Sequence, residues 1–370
     1  MYLKPTRRKK RRRLTNLIIL IVVIIAALVG VFFLIGSLTD FQIFKPLLRE
    51  TETILPETVQ ANENGILYTE DGSLFLRDTK SNPVWSLKLD TADTEFTASP
   101  YMICTYAQAN VQALSYEKEQ LFSISVPSEA LNVRCGHETA AVLCAAADET
   151  GNTLYNLTLF NTKGEQTGQI DYKTRQVIDF GFTGDSDMLW ALSLDTSSVA
   201  PISYITTYKS DGSPIGSIEN NTQIVERVYV TADTIFASGT NNLISYNYFG
   251  EKQNEALIYG RIPGAASVQG VNFHAAYIPR QASVGIENAK LFSTDLSEIA
   301  LFLPANTISV AITQNKFYAY TKDSVISYKL TGELEKTTKL DYTLKSAKQL
   351  SDTLAVAWDK EGKSYLMPLS

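Results

Sequence analysis

Histidine is the side chain most often recruited to move protons or bind metals near neutral pH, and this chain has only two, His137 and His274. They stand more than a hundred residues apart. His137 lies in a turn-like stretch, Cys135-Gly-His-Glu138, and His274 opens a strand-like run. No nucleophile elbow and no His-Glu-x-x-His pattern surrounds either one, so ordinary turn and strand roles are expected for both. Two acidic stretches, Asp185-Ser-Asp187 and Asp148-Glu149 with Gly151-Asn152, hold oxygen ligands of the kind calcium prefers. A helix-loop-helix calcium site counted from Asp185 needs Gly at its sixth position and Glu at its twelfth; Trp190 and Thr196 stand there. Hairpin turns rich in Asp and Asn are the expectation at both places.

The remaining candidates reduce in the same way. The turn glycines are isolated and lie between strand-like runs rather than before a helix, so they do not form a phosphate-binding loop. Trp85, Trp190, Trp358 and the 19 tyrosines could line a carbohydrate or peptide groove. Most of them fall at alternating strand positions, where aromatics fill the space between packed sheets. The three cysteines, Cys104, Cys135 and Cys144, are too few for a disulfide scaffold. Cys104 and Cys144 sit in the apolar runs Met102-Ile-Cys and Val142-Leu-Cys and are expected as small buried hydrophobes. Nothing in the spacing supports a Cys135–Cys144 bridge. Asn156-Leu-Thr158 and Asn220-Asn-Thr222 fit the glycosylation triplet, which matters only in a host that glycosylates. No catalytic, cofactor-binding or metal-binding residue is assigned, and no cofactor is expected.

The elements that would carry such groups are legible. Residues 14–39 contain no charged side chain and are apolar without interruption from Leu17 to Ile35, long enough for a helix to cross a bilayer. Eight of the first thirteen residues are basic, which keeps that tail on the cytoplasmic side and predicts a single-pass protein of the cell membrane with its C-terminal bulk outside. A cleaved signal peptide has the same charge order. Its apolar core is usually shorter, and Gly36-Ser37-Leu38 matches a cleavage site poorly. The tail would pass as a nucleic-acid patch in a soluble protein; beside a spanning helix it orients the chain. Without it, 25 Lys and Arg face 39 Asp and Glu, a balance that argues against a nucleic-acid partner.

Residues 40–60 read as a stalk with Pro46 and Pro56. From 61 to 370 short alternating runs of Val, Ile, Tyr, Thr and Phe are broken by Gly, Asn, Asp and Ser, the pattern of antiparallel hairpins. Four turn glycines, Gly164, Gly212, Gly250 and Gly332, each follow an aromatic by four residues (Phe160, Tyr208, Tyr246, Tyr328) and an aliphatic by seven (Leu157, Ile205, Leu243, Val325). Weaker copies end near Leu76, Tyr116 and Phe292. A period near 42 with four strands per unit is the propeller pattern. Hairpins beginning near Ile66, Met102, Val142, Leu189, Ile235, His274, Phe317 and Leu354 predict eight blades, with seven as the alternative. The last unit lacks a fourth strand, and a segment within Leu47–Gln60 is expected to supply it.

A basic tail, one spanning helix, a stalk and a propeller of degenerate aliphatic-aromatic-Gly repeats resembles the bacterial domain of unknown function 5711 family, which implies no activity and lends no functional residues. The repeats are also similar to those of WD40-like and pyrroloquinoline-quinone-type propellers, Asp78 through Trp85 resembling the latter's turn and docking tryptophan. The expected fold class is therefore all-β, a β-propeller behind one N-terminal transmembrane helix. The expected role is a membrane-anchored extracytoplasmic scaffold that binds a protein or cell-envelope polymer without catalysis. The alternative is a propeller enzyme, either a quinone-type oxidoreductase or a polysaccharide-active one.

Overall fold

The computed structural model describes residues 48–147, 149, 151–183, 187–281 and 285–369. The basic tail, the apolar stretch 14–39, the first part of the stalk, Asp148 and Asp185 lie outside the described residues. Among the described residues no helix is long and apolar enough to cross a membrane.

Alternating apolar residues and short turns fold the described chain into thirty-two strands, β1 (Arg49–Glu50) to β32 (Ser364–Pro368), grouped in eight antiparallel four-stranded sheets. These are the eight blades of a β-propeller. The eight hairpin starts read from the sequence each fall at the second strand of a blade: β3 (Gly65–Glu70), β7 (Ile103–Ala107), β11 (Thr139–Ala147), β15 (Leu189–Asp195), β19 (Thr234–Gly239), β23 (Asn272–Pro279), β27 (Lys316–Thr321) and β31 (Leu354–Asp359). Second and third strands are apolar on both sides because both sides meet a neighbouring blade; β3, for instance, buries Ile66, Leu67 and Tyr68 completely. Fourth strands face water and read polar, as in β21 (Lys252–Leu257) and β29 (Leu334–Lys339).

The core is accordingly a series of clusters between blades. Met102, Cys104 and Val142 pack between the second and third; Phe236, Phe273 and Tyr277 pack between the fifth and sixth. Leu55, Ile66 and Tyr68 pack with Leu354, Val356 and Trp358 where the first blade meets the eighth.

In seven blades the same turn joins the third strand to the fourth. The turn residue three places on donates its N–H to the carbonyl of the first, as in Gly164 to Asn161, Gly212 to Lys209 and Gly332 to Lys329, each at 2.9 Å. That donor sits at positive φ, which is why glycine marks four of the repeats. Ser81, Lys118 and Leu296 hold the same position at φ 70°, 71° and 62°, and these are the three weak copies.

The eighth blade departs from the pattern. Its Gly362 turn, closed by Gly362 N–H to Asp359, joins the second strand to the third. Its outer edge is β1, from the other end of the described chain, paired antiparallel with β32 through Arg49–Leu366 and Glu50–Tyr365. Thr51 N–H adds a further bond to the Ser364 carbonyl at 2.9 Å. Alternation of strand direction gives the ring two faces. First-to-second loops and third-to-fourth turns emerge on what is called here the first face. Second-to-third hairpins and the links between blades emerge on the second.

Candidate functional site

The ring brings together two residues that sequence spacing keeps apart. β10 (Ala130–Cys135) and β11 are joined by the tight turn Gly136-His137-Glu138, closed by Gly136 N–H to the Thr139 carbonyl at 2.8 Å. Asp187 comes from the corresponding loop of the next blade, between β14 (Arg175–Phe182) and β15. Its Oδ1 accepts the N–H groups of His137 (2.8 Å) and Glu138 (3.1 Å), and its Oδ2 accepts Glu138 N–H again at 2.9 Å. A Cβ at position 136 would fall 2.5 Å from Asp187 Oδ1, so glycine is what permits the approach.

The His137 ring meets Tyr101 edge-on with centroids 4.1 Å apart, and its Nδ1 lies 3.9 Å from Glu138 Oε1. One ligand atom from each of His137, Glu138 and Asp187 lies within 4.8 Å of the others. Nitrogen and carboxylate donors of this kind suit a divalent cation of borderline softness. Both Asp187 oxygens are already engaged by backbone donors, and His137 and Glu138 are exposed. Capping the turn is therefore the work this geometry performs.

The other sequence candidates stay separate. His274 lies on β23 opposite Ser267, half-buried, and burial pushes its pKa down. Glu149, Gly151 and Asn152 belong to a hairpin on the second face. The tryptophans pack between blades: Trp190 and Trp358 are buried, and the Trp85 indole donates to the Tyr116 carbonyl of the second blade at 2.7 Å. Cys135 and Cys144 occupy opposite ends of one hairpin, Cys135 opposite Ala140 and Cys144 opposite Ala130, so they cannot meet. Cys135 packs instead against the cluster that holds Cys104, at the junction of the second and third blades, with its Sγ 3.5 Å from the Met102 carbonyl.

A cavity of about 400 Å³ opens at the ring centre among the first strands of the fifth to eighth blades, with Arg227, Tyr229, Ser309, Lys348, Gln349 and Asp352 in its wall. Lys348 Nζ is tied to the carbonyls of Glu57 (2.8 Å) and Val59 (3.2 Å), and burial lowers its pKa. Gln349 pairs with both Ile312 backbone groups, at 2.9 Å through Oε1 and 2.8 Å through Nε2. Burial raises the pKa of the Asp352 carboxyl, against a hydrogen bond from Ser267. Most of this wall is spent on holding neighbouring strands together.

Exposed apolar side chains lie elsewhere on the ring. Val199 lies in the second-to-third connection of the fourth blade, Ile224 in the link to the fifth, Leu257 and Tyr259 at the link to the sixth, and Phe302 at the end of β25 (Glu298–Phe302). All five are on the second face of three consecutive blades, while Ile215, Phe249, Val271 and Leu334 are exposed on the first face of the same blades and the next. Phe302 is 88% exposed and Tyr259 75%. Leu257 and Phe302 escaped the sequence reading because apolar residues at strand ends read as strand.

Comparison with solved structures finds the same architecture at low sequence identity. The chain is similar to BamB from Moraxella catarrhalis (10% identity, 87% of this chain and all of that one, TM-score 0.53). It is also similar to the C-terminal WD40 domain of Sif2 (11%, 88% and 99%, TM-score 0.57), and to the WD40 domain of SCAP from fission yeast (11%, 88% and 97%, TM-score 0.57). No family model and no curated protein matches the sequence.

Proposed function

We propose that this protein is a membrane-anchored, extracytoplasmic propeller of the domain of unknown function 5711 type, acting without catalysis as a scaffold for a protein or cell-envelope polymer. The observation that carries the scaffold reading is the sector formed by Val199, Ile224, Leu257, Tyr259 and Phe302. Scattered apolar residues are normal on a protein surface, whereas several large ones gathered in one sector mark a docking surface. Aromatic anchors such as Tyr259 and Phe302 are the kind of side chain that dominates binding energy once a partner removes them from water. The rigid ring presents them without any special local sequence, which fits the absence of a catalytic motif. The anchor reading rests on the uncharged stretch 14–39 and the basic residues before it.

The test is site-specific photocrosslinking of the full-length protein in cells, with the crosslinker at 259 or 302 and, for comparison, at 249 on the first face. A discrete product from 259 and 302 but not 249 is expected. Equal, diffuse labelling at all three sites would remove the scaffold reading and bring the central cavity forward as the place to look for chemistry. Protease added to intact cells should digest residues 40–370 and spare the basic tail; protection of the whole chain would overturn the orientation.

A further inference from the structure

Cys104 is fully buried on β7 of the second blade, and Cys135 ends β10 of the third blade, partly exposed beside the loop on the first face. Cys135 Sγ lies 3.5 Å from the Met102 carbonyl and 3.8 Å from that of Thr97. Thr97 is the cross-strand partner of Cys104, and Met102 precedes Cys104 by two residues. The Cys135 sulfur is therefore seated on the backbone step that carries Cys104, and Cys135 packs against the buried cluster that contains Cys104. Cys144 stands apart, against the Ser128 carbonyl.

From this contact we infer that Cys104 and Cys135 form a reversible dithiol–disulfide couple that clamps the second blade to the third. The two sulfurs are not equivalent. The Cys104 thiol, hydrogen bonds from Ser99 and the Cys104 backbone favour thiolate at Cys135, whereas Cys104 is held protonated by its neighbour and by burial. Cys135 is also the partly exposed residue of the two, whereas Cys104 is fully buried. The attacking thiolate is Cys135, and Cys104 resolves.

The oxidant is a disulfide, small-molecule or protein. Cys135 thiolate attacks one sulfur of it, breaking that S–S bond and expelling one thiolate. Cys104 then gives up its proton and displaces the second thiolate from the mixed disulfide, forming the Cys104–Cys135 bond. The two electrons and the one proton leave with the oxidant, now one thiolate and one thiol. A dithiol reductant reverses the sequence.

The experiment uses the full-length protein in detergent, incubated with oxidised glutathione, blocked with N-ethylmaleimide and digested without reduction. A 104–135 crosslinked peptide two hydrogens lighter than the free pair, with Cys144 alkylated, is the expected result; dithiothreitol should abolish it. Oxidation should also raise the unfolding temperature by several degrees in wild type and in Cys144→Ser, and not in Cys104→Ser. In Cys104→Ser glutathione should remain attached to Cys135, while Cys135→Ser should acquire none at Cys104. Three alkylated cysteines after oxidation of the wild type, or a bridge involving Cys144, would overturn the inference, even if a variant fails to fold.

Discussion

The indole nitrogen of Trp358 donates a 2.6 Å hydrogen bond to the carbonyl of Leu55, a residue 303 positions away, and both groups are buried. The same segment is held a second time, by Leu55 N–H to Ser364 Oγ at 2.9 Å. Ring closure thus depends on side chains of the eighth blade reaching the link that enters the first, beyond the short pairing of β1. Trp358→Phe keeps most of the apolar contact and leaves the Leu55 carbonyl without its partner. A loss of about 1–3 kcal/mol is expected in urea unfolding. An unchanged midpoint would show that closure does not need this bond.

Removal of the last hairpin, Leu354–Ser370, takes away β31 and β32 and with them the partner strand of β1. The first blade then exposes a face built for burial against the eighth. The truncated chain is expected to lose its single cooperative unfolding transition, followed by circular dichroism and tryptophan fluorescence together. Coincident, sharp transitions would count against the closed ring as the folding unit.

The turn glycines are not equivalent. Gly362 has φ +88° with open space where a Cβ would point, so Gly362→Ala adds backbone strain alone, about 1–2 kcal/mol before the gain from a stiffer unfolded chain. Gly164 has φ +78° and its Cβ would lie 2.9 Å from the Cβ of Phe122 in the preceding blade. Gly164→Ala should therefore cost more, by roughly a further 1–3 kcal/mol of overpacking. Equal losses in denaturant titrations would mean that the junction between blades yields freely at that point.

Acid should weaken the ring through its turns. Hydrogen bonds from the Ser293 hydroxyl and from Ser297 hold the Asp295 pKa down to about 2. A carboxylate depressed in the folded state contributes stability that is full above its unfolded pKa, near 4, and is lost as pH falls toward the folded value. Asp211 and Asp195 are lowered in the same direction by Ser213 and Ser197. Unfolding midpoints should fall between pH 4 and pH 2, and Asp295→Asn should shallow that slope. An identical slope in the variant would assign the acid sensitivity elsewhere.

The repeat was visible because one backbone requirement recurs, a positive φ at the end of the third strand, and glycine meets it in four blades. Where Ser81, Lys118 or Leu296 meets it, only the flanking apolar residues remain as a sign. The closing strand could be confined to a window but not located, since two residues are too few to carry a pattern. Contacts across blade junctions left no trace at all. His137 and Asp187 are neighbours because corresponding loops of adjacent blades meet, and Cys135 lies beside the strand of Cys104 because the first strand of the third blade packs beside the second strand of the second. Their separations along the chain follow from the way adjacent blades pack and not from any chemical motif. The exposed side chains at Leu257 and Phe302 were hidden for a different reason: hydrophobicity along a strand does not reveal which end of it stays in water.

In the eighth blade the corner that is a five-residue turn in the other seven is the gap between Pro368 and Arg49 on neighbouring strands. A short turn of the Asn161–Glu165 kind would bridge that gap and leave the backbone of the ring continuous. The chain could then be opened at any of the other seven corners without removing a strand or changing a neighbour. Blade order along the polypeptide is thus a matter of where the circle is cut, and the propeller should tolerate circular permutation at each of its outer turns.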